Sequence, residues 1–371
     1  MNWPIRILNM VTVMNRGGTE TLIMNYYREI DKTKVQFDFL THRTDKGDYD
    51  DEILAMGGKI YHMCPIYPQN FIKYKKMIRE FFIKHSEYKI IHSHMSELGY
   101  FALREAKRQG IPVRICHAHS RPNTFDLKLI VRSYFKIMME PYINYRFVCS
   151  NNSGDWLFGK KYHSEFVHMR NAIDSEKFTF SFDKSLYMRQ KLGLENQFVI
   201  GHVGRFSKEK NQLFLIEIFN DIKNKNENSK LILIGEGVLE KQIKDRIKLL
   251  KLEDDVIFTG SVPNIYDYMQ CMDSFILPSL FEGFGNVLIE AQAAGLKCYT
   301  SDKVVPKDVK ITDLLRFVPL EKSASYWAKL IIENKKGNRG NTCKQILDSG
   351  YDIKENSKWL EEFYTNAIKK M

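Results

Sequence analysis

The chain has 371 residues, 44% of them hydrophobic and 27% charged, which supplies a packed core and excludes a mainly disordered protein. At about 150 residues per domain, that length calls for two domains. The formal charge of +11 is lopsided: residues 1–170 carry 26 basic and 17 acidic side chains, a net of +9, so the first half should favour an anionic partner.

Short apolar, β-rich runs alternate with amphipathic stretches along the whole chain. In the first half the strand-like runs are Ile5 to Val11, Phe37 to Leu40, Ile60 to Met63, Ile90 to His94, Val113 to His117, Phe147 to Ser150 and Phe166 to His168. Helical patterns such as Thr19 to Ile30, Phe71 to His85 and Leu98 to Gln109 lie between them. The series restarts at Phe198 to Val203 and continues with Leu231 to Ile234, Val256 to Phe258, Phe275 to Leu277 and Lys297 to Thr300. Strands alternating with helices imply parallel sheets with crossover connections. Two series imply an α/β protein of two doubly wound domains, residues 1–172 and 173–353. The boundary falls near Asn171-Ala172-Ile173-Asp174. The last helix, about 354–371, carries Trp359, Leu360, Phe363 and Ile368, and should pack back on the first domain.

No apolar run approaches the roughly 18 residues of a membrane span. The run Ile5 to Val11 is too short for a secretory signal. Cys116, Cys149 and Cys298 lie within apolar runs and read as reduced, packed thiols, which fits a cytoplasmic protein. No nucleic-acid-binding module is recognisable, so nucleic acid is not an expected partner.

Ligands of open parallel sheets bind beyond the carboxyl ends of the strands, so those ends are where chemistry is sought. One such end is Gly201-His202-Val203-Gly204-Arg205-Phe206, followed by Lys208 and Lys210. A guanidinium and an ammonium at a strand end suit a diphosphate. The second is Glu282-Gly283-Phe284-Gly285-Asn286-Val287-Leu288-Ile289-Glu290, a glycine-rich turn running into a helix, with seven residues between the carboxylates. Carboxylates accept paired hydrogen bonds from vicinal hydroxyls, and a helix start favours an anion. A third is His92-Ser93-His94 with His117-Ala118-His119; each pair puts both rings on one face of a strand. Four such rings could hold zinc or act as hydrogen-bonded strand-end histidines. Gly17-Gly18, between a strand and a helix, allows close approach of an acceptor or a diphosphate but lacks the G-x-G-x-x-G dinucleotide pattern. Two basic, aromatic segments, Phe71 to Arg79 and Lys128 to Tyr145, read either as helices lying on anionic lipid or as core-facing stripes with a solvated basic side.

Arg205 and Lys210 together with Glu282 to Glu290 resemble the retaining, nucleotide-sugar-dependent glycosyltransferases of the GT-B fold, family 4-like and group 1, with their E-x7-E signature. Asn15-Arg16-Gly17-Gly18-Thr19-Glu20 is similar to that family's first glycine-rich loop, and Leu233-Ile234-Gly235-Glu236-Gly237 to its mid-domain strand and turn. Asn171-Ala172-Ile173-Asp174 is similar to its interdomain signature, with alanine in place of the usual glycine, which puts that turn's geometry in question. The likeness runs from about residue 5 to 300 and is nearest to bacterial exopolysaccharide and capsule glycosyltransferases.

The resemblance implies two Rossmann-like domains facing a central cleft, the first for the acceptor and the second for the donor. It implies retaining transfer of a hexose-type sugar from a nucleoside diphosphate sugar, with UDP the expected carrier, to a glycan acceptor that is lipid-linked. Arg205, Lys210, Glu282, Gly283, Phe284, Gly285, Asn286, Val287 and Glu290 would hold the donor, and His119, with His117 as a rival, would touch the donor sugar. Gly17 and Gly18 would serve the acceptor or diphosphate. Metal ions and other cofactors are not expected. The basic first half implies an anionic membrane surface, with the protein peripheral on the inner face of the cell membrane. An epimerase of the same fold and a non-catalytic scaffold binding anionic lipid or glycan are the competing readings.

Overall fold

A computed structural model describes residues 4–119, 127–335, 337 and 339–370, and the helix that starts at residue 127 has side chains described from residue 130. The chain divides into two units, residues 4–172 with 353–370, and Ile173–Asp352.

The first unit is built on a seven-stranded sheet: β1 (Ile5–Val11), β2 (Val35–Thr41), β3 (Ile60–His62), β4 (Ile90–Ser93), β5 (Val113–Ala118), β6 (Tyr145–Val148) and β7 (Phe166–His168). Their order is β3-β2-β1-β4-β5-β6-β7, every pair parallel. The sequence Val35 to Thr41 is buried at every position, as a strand covered on both faces must be. The Gly18–Glu29 helix turns Leu22, Ile23, Tyr26 and Tyr27 inward. The Ile353–Lys369 helix packs on the same side, with Ile353, Leu360, Tyr364 and Ala367 in the cluster that holds Ile7, Phe37 and Phe147. Spacings of seven, four and three place these four on one helical face.

The second unit has six parallel strands: β8 (Phe198–Val203), β9 (Ser229–Ile234), β10 (Val256–Gly260), β11 (Ser274–Leu277), β12 (Lys297–Ser301) and β13 (Leu315–Val318), ordered β10-β9-β8-β11-β12-β13. In each sheet the direction of strand progression reverses once, between β1 and β4 and between β8 and β11. A doubly wound sheet opens its crevice at that reversal.

Two expectations about local structure change. Ala172 has no positive φ and is buried, so the turn that favours glycine elsewhere is made here in ordinary backbone. Along the Phe71–Lys84 helix, Tyr74, Ile78, Phe81 and Phe82 are buried, and Phe135 is buried on the Leu127–Met139 helix. Tyr74, Phe81, Phe82 and Phe135 are therefore core, and the apolar or aromatic side chains left outside are Ile72, Ile83, Ile130, Val131, Tyr134 and Ile137. Lys73, Lys75, Lys76 and Arg79 are exposed as the basic pattern requires.

Gly235 has φ +135°, and a Cβ there would lie 2.2 Å from the carbonyl oxygen of Gly204. The loops after β8 and β9 thus meet backbone to backbone. Gly235→Ala should cost more than about 2 kcal/mol through clash and strain together. Chemical denaturation would measure it, and the adjacent Gly204–Arg205 peptide should be displaced.

Candidate active site

The loops after β8 and β11, which flank the reversal in the second sheet, are tied to each other. Asn211, in the left-handed region at φ +59°, donates its side-chain amide to the Pro278 carbonyl at 3.0 Å. The Leu280 N–H donates to the Glu209 carbonyl at 2.7 Å. Across these loops Lys210 Nζ meets Glu282 Oε1 at 2.5 Å, and Ser279 Oγ donates to the same oxygen at 2.7 Å. The Glu282 side chain is 6% exposed and that of Lys210 23%. Oε2 of Glu282 accepts no bond from the described residues.

Lys210, grouped with Arg205 on sequence, is therefore bonded to a carboxylate whose role was read separately. Arg205 is exposed, and its peptide is braced from beneath. The Gln212 side-chain amide donates to the Arg205 carbonyl at 2.8 Å and lies 3.2 Å from Nε2 of His202. His202 Nδ1 must donate to the Ile276 carbonyl at 2.9 Å, so its Nε2 accepts from Gln212. Burial drives this imidazole down to about 4, which keeps it neutral in that role. Glu209, on the same loop, is held below its usual range by the Ser207 hydroxyl first, with Arg205 and Lys210 contributing.

The turn after Glu282 continues through Gly283 to Phe284, which is buried with its ring 6.0 Å from that of Tyr351. Gly285, at φ +95°, precedes the Asn286–Ala293 helix. A side chain is disfavoured at that angle, and the first N–H groups of a helix lack intrahelical acceptors. Val287 and Leu288 face the core. Glu290 lies one helical turn beyond Asn286 and is 8% exposed. No described residue bonds its carboxyl group, and burial raises it to about 7.

In the first unit the four histidines form one stack at the ends of β4 and β5. Ring centroids are 4.2 Å apart for His92 and His94, and 4.0 Å for His117 and His119. His92 is 2.7 Å from the Tyr364 hydroxyl and 3.3 Å from His117 Nδ1. His94 is 2.9 Å from His119 Nε2 and 3.2 Å from Asn9 Oδ1. Burial drives His92, His94 and His117 well below their ordinary value and His119 to about 3, so all four are neutral. One nitrogen from each of His92, His94 and His117 lies within 4.8 Å of the others, but the bonds to Tyr364 and Asn9 engage two of those rings. His119, half-buried, is the outermost of the stack, and the loop after it, Ser120-Arg121-Pro122, lies outside the described residues. Gly17 and Gly18 stand where the Gly18–Glu29 helix begins, neither with positive φ, and a Cβ on Gly18 would meet nothing within 4 Å.

Sequence reasoning missed Asn9 and Ser279. Asn9 was visible as the one amide in the strand Ile5–Val11; Ser279 carried no signal beyond its place in a Pro-Ser loop.

Comparison with known proteins decides the family. The family described as glycosyl transferases group 1 matches residues 185–347, and glycosyltransferase family 4 matches residues 16–176. EpsF of Bacillus subtilis (strain 168), placed by its name among the glycosyltransferases, is 34% identical over 98% of this chain and 97% of its own. This chain belongs to the glycosyltransferases. An Escherichia coli protein named UDP-Gal:α-D-GlcNAc-diphosphoundecaprenol α-1,3-galactosyltransferase is 27% identical over 59% of both chains. The structure of Anabaena Alr3699/HepE in complex with UDP and glucose superposes with a TM-score of 0.79 at 18% identity, covering 97% of this glycosyltransferase and 99% of that chain. The architecture is the GT-B fold, two Rossmann-like parallel-sheet units.

The Glu290 carboxyl gives a pH signature. With a folded value of about 7 against an ordinary 4.5, the folded protein keeps a proton that the unfolded chain releases. Stability from this group is therefore full below about pH 4.5, is lost as pH rises to about 7, and stays lost above it, a difference of about 3 kcal/mol. Glu290→Gln should remove that slope, seen by comparing denaturant unfolding of both proteins at pH 5 and pH 8.

Proposed function

We propose that this glycosyltransferase moves a sugar, with retention and without a metal ion, from a nucleoside diphosphate sugar to a glycan carried on a lipid diphosphate in exopolysaccharide or capsule assembly. The observation that carries the donor part is the pairing of Lys210 with Glu282, together with a buried Glu290 whose carboxyl group no described residue bonds. The relative with UDP-galactose in its name and the fold neighbour holding UDP and glucose support a UDP-sugar. The former's name also carries a lipid diphosphate acceptor.

Departure of the diphosphate puts negative charge on its bridging oxygen while the anomeric carbon becomes electron-poor. Arg205 and Lys210 meet that charge, aided by N–H groups at the start of the Asn286–Ala293 helix. Glu282, fixed by Lys210 and Ser279 on one oxygen, has the other for sugar hydroxyls. Glu290 takes the ribose diol. The bond between the anomeric carbon and the bridging phosphate oxygen breaks, the acceptor oxygen bonds to that carbon on the same face, and its proton passes to the leaving phosphate oxygen. On the first unit, Gly18 leaves room for the acceptor or the diphosphate, while the Glu20 carboxylate lies against Gly17, and His119 meets a sugar hydroxyl.

Removing Lys210 deletes a charge-assisted hydrogen bond worth roughly 1.5–3 kcal/mol, so Lys210→Ala should slow transfer by about 10- to 150-fold. Because an ionised Glu290 binds the diol best, UDP affinity should rise about tenfold between pH 6 and pH 8 and lose that rise in Glu290→Gln. Titration calorimetry with UDP, and turnover of UDP-sugars in excess chelator, test the reading. Abolition of turnover by chelator with rescue by a divalent ion would refute the metal-free mechanism; equal UDP affinity in wild type and Glu290→Gln at pH 8 would remove the ribose assignment.

Membrane attachment is the second part of the proposal. Among the described residues no helix is long and apolar enough to cross a membrane. Instead Ile130, Tyr134 and Ile137, spaced by four and three, form an exposed stripe on the Leu127–Met139 helix. Ile137 continues into a cavity of about 290 Å³ lined also by Met139, Ile143, Leu157, Phe158 and Lys161. An apolar stripe on a unit of net positive charge fits an anionic monolayer, where each burying side chain contributes roughly 1.5–3 kcal/mol and each nearby cation about 1 kcal/mol. Replacing Ile130, Tyr134 and Ile137 by Ser should cut binding to anionic vesicles at least tenfold and reduce turnover on a lipid-linked acceptor, with turnover on a short soluble acceptor unchanged. Undiminished sedimentation with vesicles would exclude this helix as the contact.

A further inference from the structure

The histidine stack contains a chain of hydrogen bonds whose direction is fixed at one end. Asn9 is 1% exposed in β1, and it reaches across the reversal between β1 and β4 to His94. Its amide nitrogen lies 3.5 Å from the Ile7 carbonyl, which can only accept. The opposite amide orientation would set two acceptor oxygens against each other, so Oδ1 is the atom facing His94. An amide oxygen only accepts; His94 Nε2 therefore carries a hydrogen. In the neutral ring that burial enforces, His94 Nδ1 is then a bare acceptor. His119 Nε2, 2.9 Å from it, must be the donor. That leaves His119 Nδ1 without hydrogen, and no described residue bonds to it.

We propose that Asn9, acting through His94, holds His119 in the tautomer protonated on Nε2, so that its Nδ1 is presented as a hydrogen-bond acceptor to a ligand hydroxyl. Asn9 is a positioning residue here: it touches no substrate and sets which kind of group His119 can recognise. A hydroxyl can donate to Nδ1; a carbonyl or ring oxygen cannot. The usefulness of this for catalysis rests on the reading of His119 as a sugar contact, while the tautomer itself does not. The parallel chain from Tyr364 through His92 to His117 has no such anchor, because a tyrosine hydroxyl can donate or accept, and it ends on a buried His117 Nε2 with no partner among the described residues.

The test is proton–nitrogen correlation spectroscopy on the full-length protein with ¹⁵N-labelled histidine, the His119 signals being assigned by their loss in His119→Gln. In wild type, His119 should show an unprotonated Nδ1 and a protonated Nε2. Asn9→Leu should convert this to a mixture of tautomers. A wild-type His119 protonated on Nδ1, or an unchanged spectrum in Asn9→Leu, would overturn the proposal. With a folded Asn9→Leu protein, kcat/KM for transfer should fall two- to tenfold, the size of one neutral hydrogen bond, with UDP affinity unchanged. If His119→Ala transfers sugar at the wild-type rate while the predicted tautomer is found, the sugar-contact reading fails and the tautomer assignment stands.

Discussion

In a parallel sheet every strand ends at the same edge, and the loops there must satisfy or present the polar groups that the ladder leaves over. Both units of this protein are governed by that constraint. Where strand progression reverses, neighbouring loops turn away from each other and open a place that side chains cannot fill. The second unit puts Lys210, Glu282 and the start of a helix there, between β8 and β11. The first unit puts Asn9, Gly17, Gly18 and His94 there, between β1 and β4, with His119 of the neighbouring β5 against His94. The apolar strands do no chemistry, but they bring residues as distant as Lys210 and Glu282 within 2.5 Å.

The polar groups at these edges are held at some cost. Glu290 is driven into the interior with no bond from the described residues to its carboxyl group, and a stack of four imidazoles is kept neutral by burial. Packing in the same region offsets this, with Val287, Leu288 and Ile289 of the Asn286–Ala293 helix in the core beside Glu290. Buried polar groups that lack a protein partner are uncommon, and those sited at a strand edge are where a ligand would replace the lost water.

How much of this was legible follows from what each signal depends on. The sheets were readable because buried parallel strands are continuous apolar runs, as in Leu231 to Ile234. The spacing of Glu282 and Glu290 was readable because it is local to one turn and one helix. The Lys210–Glu282 bond was not, since it joins loops 72 residues apart and depends on β8 lying beside β11. Which of the two readings of the basic segments holds was not legible for a similar reason. Tyr74, Phe81, Phe82 and Phe135 have the same spacing whether they face lipid or core, and only the sheet behind them decides it. Asn9 carried a signal, an amide in an apolar strand, but its partner lies 85 residues away.

The pairing of Lys210 with Glu282 bears on how such a site can act on charge that develops late. A lysine free in water would spend binding energy on immobilisation and desolvation when a diphosphate arrived. Here the ammonium is already held at 23% exposure by a carboxylate that Ser279 also grips. A diphosphate would share that cation with Glu282 rather than capture it outright. Its hold on Lys210 would therefore grow as negative charge accumulates on the leaving oxygen, which is the moment when stabilisation lowers the barrier. Glu282, losing part of the ammonium at that same stage, would become a stronger acceptor for the sugar hydroxyls, just as the anomeric carbon becomes electron-poor. One ion pair would thus link the two halves of the charge separation.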